Sequence, residues 1–351
     1  MEISKYKLWL KNDQPMKQEE LPPDFIEQGV SLYEVLRVIK SVPIFLEQHL
    51  ERLNRTAHLT GLKLPLDDET IGVRLKELIS MNQVDSGNIK LVINYASGHE
   101  AVDFYAYFVE ESYPSPADYQ NGVKTVLVEA ERPNPNAKVD RADYRRKIDE
   151  AIRLSGAYEA LLVDHAGFVS EGGRSNLFMI SGDAVITAPA DKVLKGITRQ
   201  MVFAACERRG YKVLERDTLL TEMLTMDGIF ISGTSPKVLP VNHVDGHSIP
   251  SAQNPIIRDI MSAYDAIIEE YIRRHGDGSS VCDKGSVVWF FLAPGAADGR
   301  TVPVSAVPVS ALRQISPCFQ NLPGFFLIFG GYQDNGSGAA HTGGGKDLLF
   351  P

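Results

Sequence analysis

The sequence predicts an α/β (α+β) protein with two domains. Three observations lead there. Its 351 residues exceed what one hydrophobic core usually organises. Alternating and β-branched runs interleave with helical patterns as far as His275. The stretch Glu111-Ser-Tyr-Pro-Ser-Pro-Ala-Asp118 then breaks the chain with two prolines, small polar residues and no apolar period. We expect a small N-terminal domain over residues 1–112, a linker at 113–120 and a larger domain over 121–275.

The elements follow in order. Tyr6 to Leu10 reads as a short strand, followed by a polar loop to Glu27. Gly29 to Ile39 reads as a longer strand, with Val42 to Leu46 as its returning partner. Leu46, Leu50, Leu53 and Ala57 recur at helical spacing, and Gly61 supplies a stop. Asp67 and Asp68 are candidate caps for a second helix to Ser80. Strands are expected at Ile89 to Tyr95, Asp103 to Glu110 and Val123 to Ala130. A helix over Asp140 to Gly156 carries Arg145, Arg146 and Lys147 on a charged face. A strand over Glu159 to Asp164 and a hairpin over Leu177 to Thr187, turning at Ser181-Gly-Asp183, come next. Gly196-Ile-Thr-Arg199 opens a helix to Arg209. Strands at Val213 to Glu215 and Ile229 to Ser232 flank a helix around Leu219 to Met226. Asn254-Pro255 starts a last amphipathic helix to Arg274, with proline in its first turn.

Composition narrows the partners. Hydrophobic content of 44% and charged content of 23% are those of an ordinary soluble domain. A net charge of −9 argues against nucleic acid or an acidic membrane surface. The three cysteines, Cys206, Cys282 and Cys318, show no metal or disulfide spacing and suit a reducing compartment. No signal-peptide core and no membrane-length apolar run is present. The expectation is a cytoplasmic protein. After His275 the character changes. Residues 276–351 hold 13 of the 29 glycines and no glutamate, with two apolar knots at Val287 to Leu292 and Phe325 to Phe329. This segment reads as a weakly packed appendage.

The chemistry is concentrated between Pro133 and Asn176. Lys138 ends Pro133-Asn-Pro-Asn-Ala-Lys, on a loop edge before a helix. Glu171 lies just past a strand, in Ser-Glu-Gly-Gly-Arg-Ser-Asn176. A lysine that condenses with an aldehyde must be able to lose its proton. A bound pyridine ring needs an acid beside its nitrogen to stay protonated. On spacing alone, a lysine and a glutamate this far apart are far more often two solvated surface charges.

The surrounding residues add to it. Asn-Ala-Lys138, Tyr158-Glu-Ala-Leu-Leu-Val-Asp164, Gly167-Phe-Val-Ser-Glu-Gly-Gly-Arg-Ser-Asn-Leu-Phe178 and Leu194-Lys-Gly-Ile-Thr-Arg199 together resemble the class IV, fold-type IV aminotransferases that use pyridoxal phosphate. That family includes branched-chain aminotransferases, D-amino-acid aminotransferases and aminodeoxychorismate lyases. The resemblance runs from about Leu32 to His275. It implies a small α/β domain, a larger β pseudo-barrel, the cofactor in the cleft between them, and a homodimer.

The resemblance also implies roles. Lys138 matches the lysine that binds the cofactor, ahead of its rivals Lys124, Lys147, Lys192, Lys195 and Lys237. Glu171 matches the partner of the pyridine nitrogen. A phosphate cradle is expected from Gly196-Ile197-Thr198 at a helix start, Arg52 in His-Leu-Glu-Arg-Leu53, and Ser232-Gly233-Thr234-Ser235 after a strand. His49 shares a helix face with Arg52 and either orients it or packs against the chain. Tyr144 is a candidate for the cofactor's ring oxygen, one residue later than in branched-chain enzymes. Tyr33 is either an active-site aromatic or a strand tyrosine with one wet edge. Arg174 and Ser235 are candidates for substrate contacts. The implied reaction is ping-pong transamination between an amino acid and a 2-oxo acid such as 2-oxoglutarate, with a branched-chain L-amino acid favoured. A D-amino acid donor, aminodeoxychorismate cleavage and cofactor binding without turnover remain as alternatives.

Overall fold

The computed structural model describes residues 6–20, 29–96, 101–110, 112–131, 136–139 and 142–276. The expected appendage beyond residue 276, residues 97–100 and 132–135, and residues 21–28, which include the end of the expected polar loop, lie outside them.

The N-terminal half is one antiparallel sheet backed by two helices. Its strands are β1 (Leu8–Lys11), β2 (Gln14–Lys17), β3 (Val30–Ile39), β4 (Val42–Pro43), β5 (Ser86–Tyr95) and β6 (Val102–Val109), ordered β2-β1-β6-β5-β3-β4. Leu32, Leu36 and Val38 alternate along β3 and meet Leu50, Leu53 and Ala57 of α1 (Leu46–Thr60) and Ile71, Leu75 and Leu78 of α2 (Asp68–Asn82). The period of 2 on the strand and 3.6 on the helices puts both apolar sets in one core. Gly61, at φ 70°, ends α1, and Asp67 caps α2 through Thr70 N. The other face of the sheet gathers Trp9, Tyr33, Val92, Tyr105 and Tyr107.

Two local readings are corrected here. The strand expected over Val42 to Leu46 stops at Pro43, because Phe45 turns left-handed and α1 begins at Leu46. Proline lacks the N–H that would extend the ladder. The Leu46 N–H donates instead to the Tyr271 hydroxyl. The polar loop also contains β2, paired along the whole of β1.

The remaining described residues form a second sheet. Its strands are β7 (Val123–Glu129), β8 (Glu159–Val163), β9 (Val169–Gly172), β10 (Asn176–Ser181), β11 (Ala184–Thr187), β12 (Lys212–Glu215), β13 (Gly228–Gly233), β14 (Lys237–Val244) and the short β15 (His247–Ser248). The order is β12-β11-β10-β13-β14-β7-β8-β9, and β9 pairs back onto β10 through Glu171 and Asn176. That last pairing closes six strands, from β10 round to β9, into a barrel. Leu161, Leu177, Met179, Ile229, Ile231, Leu239 and Val241 form one core. Alternate residues Phe178, Ile180 and Phe230 point the other way, against α5 (Ile197–Arg209) and α7 (Pro255–His275). Ala160 and Leu162 pack with Ile148 of α4 (Ala142–Ser155).

The Ser-Pro-Ala-Asp end of the expected linker is itself ordered. Ser115 and Asp118 form a reciprocal capping box that starts the short helix α3 (Pro116–Asn121). The expected helix around Leu219 to Met226 is shorter, α6 (Leu220–Met223). No described helix is long and apolar enough to cross a membrane.

Candidate active site

Lys138 is held against the N-terminal sheet by its backbone. Its carbonyl accepts from Tyr33 N at 3.3 Å, its N–H donates to Thr56 Oγ1 at 3.4 Å, and Val139 bridges to Leu32. The Lys138 Nζ lies 4.6 Å from the centroid of the Tyr33 ring. Lys90 Nζ and the Arg145 guanidinium approach the same ring at 4.9 and 5.3 Å, and Arg145 donates to the Tyr33 hydroxyl. Tyr33 is therefore a buried aromatic platform ringed by cations, next to the patch of Trp9, Val92, Tyr105 and Tyr107.

On the other side of β3, Glu34 is fully buried and faces α1. Its two oxygens accept from Arg52 Nε at 2.8 Å and Nη2 at 2.5 Å, and Oε2 lies 2.7 Å from His49 Nδ1. Burial by itself would raise the Glu34 pKa. The charge and hydrogen bonds of Arg52, with help from His49, bring it down to about 2. The His49 pKa is lowered, first by burial, with the charges of Arg52 and Lys138 working in the same direction against Glu34. Both His49 and Arg52 follow from the helical spacing of α1. Glu34 is a site residue that sequence reasoning misses. The available signal is its register: it stands in line with Leu32, Leu36 and Val38, on the apolar stripe.

Glu171 is buried in the barrel seam, at 1% exposure. Its Oε2 accepts from Leu194 N at 3.2 Å and Asn176 Nδ2 at 3.4 Å, and Asn176 Nδ2 also donates to Leu194 O at 2.9 Å. The two glycines after Glu171 have a packing reason. A Cβ on Gly172 would meet Ser175 Oγ at 2.1 Å, and one on Gly173 would meet Ile148 at 2.5 Å. The turn they make is gripped by the buried Glu159, which accepts from Ala160 N, Arg174 N and Ser175 Oγ.

Two loops meet the N-terminal half, one at Arg52 of α1 and one at β3 and β5. The first leads into α5. Arg52 Nη1 donates to Lys195 O at 3.3 Å, and Gly196 is the N-cap of α5 without any side-chain cap. The N–H groups of Ile197 and Thr198 lead this uncapped helix start, a setting that favours an anion. The second loop follows β13. Thr234 Oγ1 donates to Val35 O at 3.3 Å, Arg37 Nη1 donates to Ser235 O at 3.0 Å, and Asn88 Nδ2 donates to Ser235 Oγ at 2.9 Å. Gly233 ends β13, with Pro236 close to where its Cβ would stand. Ser232 pairs with Asn176 across the ladder, and its Oγ is buried without a hydrogen-bond partner.

These residues fit a phosphate-bearing ring. The uncapped start of α5 and the orphaned hydroxyl of Ser232 on β13 seek acceptors, and Arg52 of α1 adds a guanidinium fixed by Glu34. Thr198 is buried in the first turn of α5. The Arg174 carbonyl lies 3.5 Å from where a Gly233 Cβ would stand, while its side chain, 58% exposed, is ion-paired with Asp149 at 2.5 Å. Tyr144 falls within α4, but its side chain lies outside the described residues.

A helix-backed antiparallel sheet with Lys138 against β3, followed by a closed barrel with Glu171 buried in its seam, is the architecture of the fold-type IV class. The sequence comparison agrees. The model for amino-transferase class IV matches residues 31–244, and the chain belongs to that family. It is 28% identical to the D-alanine aminotransferase of Bacillus licheniformis over 266 residues, 72% of this chain and 94% of that protein. It is 25% identical to the branched-chain-amino-acid aminotransferase of Pseudomonas aeruginosa over 272 residues, 72% of this chain and 88% of that protein. Among solved structures, the T.th. branched-chain amino acid aminotransferase with pyridoxamine 5'-phosphate aligns with a TM-score of 0.70 at 23% identity. The alignment covers 77% of this chain and 97% of that one.

Proposed function

We propose that this transaminase uses pyridoxal phosphate to move an amino group from a branched-chain L-amino acid to 2-oxoglutarate. The observation that carries the reading is the setting of Lys138, whose Nζ stands 4.6 Å from the Tyr33 ring beside an aromatic and aliphatic surface. Relatives named as branched-chain aminotransferases support the choice of donor.

When bound, the cofactor supplies an aldehyde for the amine and an electron sink in its ring. The rest falls to the chain. Lys138 Nζ would hold the cofactor between turnovers and serve as the base that takes up the substrate Cα proton. Glu171 holds the proton on the ring nitrogen. Its burial and its bonds to Leu194 and Asn176 keep the carboxylate in one place. Arg52, Ile197, Thr198, Gly233 and Thr234 hold the phosphate. Tyr144, Arg174 and Ser235 stand as candidates for the ring oxygen and the substrate. We expect a cytoplasmic homodimer.

The similarity to a D-alanine aminotransferase favours a second reading, a D-amino acid donor. Purified protein offered L-leucine, L-valine, L-isoleucine or D-alanine with 2-oxoglutarate separates the two. Glutamate formed from the L-donors alone is the expected result. Turnover of D-alanine alone would replace the branched-chain reading, and pyruvate released from aminodeoxychorismate would mark a lyase. Lys138→Ala should abolish both turnover and borohydride-stable cofactor attachment.

A further inference from the structure

We infer that Glu34 is the positioning residue of the phosphate cradle, acting through Arg52. This rests on the pyridoxal phosphate reading above. A buried ion pair is a weak way to stabilise a fold, because desolvation offsets most of the attraction. What the Glu34–Arg52 pair supplies is direction. Nε and Nη2 are both engaged by one carboxylate, so the planar guanidinium cannot rotate. His49 holds the same carboxylate from a second side. The remaining edge of Arg52 is left pointing at Lys195 O, one residue before the uncapped start of α5.

Glu34 also sits where the two halves of the cradle join. Its chain neighbour Val35 receives the Thr234 hydroxyl, and Arg37 binds Ser235 O. Residues 34 to 37 of β3 thus reach both the loop before α5 and the loop after β13. Charge points the same way. With Glu34 ionised and the His49 pKa held down, the Glu34–His49–Arg52 cluster is neutral overall. Arg52 then contributes oriented N–H groups to the anion, and Glu34 sets their orientation.

The test uses the full chain, stripped of cofactor, and titrates it with pyridoxal phosphate and separately with pyridoxal. The readout is the absorbance that appears when the aldehyde is held at Lys138. In Glu34→Gln, the affinity for pyridoxal phosphate should fall roughly 10- to 100-fold, the worth of one or two charged hydrogen bonds. The affinity for pyridoxal should stay within about twofold of wild type, since that ligand has no phosphate to orient. In an Arg52→Gln background, Glu34→Gln should have no further effect on the ratio of the two affinities. Glu34→Asp keeps the charge pair but displaces the fork by one methylene, and should lower the same ratio if Glu34→Gln fails to fold. A ratio preserved in a folded Glu34 variant overturns the positioning role while leaving the cofactor reading intact. A loss that is additive with Arg52→Gln overturns it equally. Wild-type protein indifferent to pyridoxal phosphate overturns both.

Discussion

Gly196→Ala is the most informative single change at the cradle. Gly196 has φ −61° and ψ 142°, a conformation open to any residue, so backbone strain plays no part. The effect is steric. An added Cβ would stand 2.2 Å from Asn176 Oδ1. Asn176 is buried and cannot step aside freely, because its amide is committed to Leu194 O and to Glu171. Overpacking of this kind costs about 1–3 kcal/mol, and losing the buried amide's bonds adds roughly 1–3 kcal/mol, so about 2–6 kcal/mol is expected. The same displacement loosens Glu171 and the start of α5, so cofactor affinity should fall together with stability. Urea unfolding of the cofactor-free protein measures the first, and titration with pyridoxal phosphate measures the second. Asn176→Ala in the same chain should relieve the clash, making the double variant more stable than the sum of the two losses. A Gly196→Ala protein within about 0.5 kcal/mol of wild type, or strict additivity with Asn176→Ala, would refute the reasoning.

Other consequences can be checked alongside. Phe230→Ala removes a fully buried ring stacked 4.9 Å from Phe178, under α5, and should lower unfolding free energy by about 3–5 kcal/mol; a loss below about 1 kcal/mol would contradict that packing. Ser232→Ala removes a buried hydroxyl with no partner, so the cofactor-free protein should be no less stable while pyridoxal phosphate binds more weakly. Thermal melts and titration give opposite signs if Ser232 serves the anion, and equal affinity would exclude it. Burial raises the Glu159 pKa above 4.5 despite its three donors. A raised carboxylate pKa adds stability that is full below 4.5 and disappears as pH rises through the folded value. Wild type should therefore gain stability relative to Glu159→Gln as pH falls, and a flat difference in melting temperature from about pH 8 to pH 4.5 would argue against it.

Most elements are legible in the sequence because their signals are local. The spacing of Leu46, Leu50 and Leu53, the glycine stop at Gly61 and the Asp67 cap act within a few residues, and the structure realises all of them. β14 is not legible in this way. Pro240 sits inside it opposite Phe230, and the ladder shifts between Val241 and His243, so neither composition nor period marks a strand. β9 is four residues long, and only its pairing with β10 makes it part of a barrel. Among the site residues, Arg174 follows the motif in sequence, yet its side chain turns outward to Asp149. Nothing within its own loop indicates the proximity of α4.

The sequence by itself determined the family, through several short motifs, and the helix start at Gly196, because each motif depends on residues close together in the chain. Tertiary structure decided the rest. It closed the barrel through Glu171 and Asn176, and it brought Glu34 of β3 to Arg52 of α1. It also set Tyr33 beneath the Lys138 ammonium. These are pairings between distant segments, and their energies depend on burial and register that exist only once strands and helices have packed.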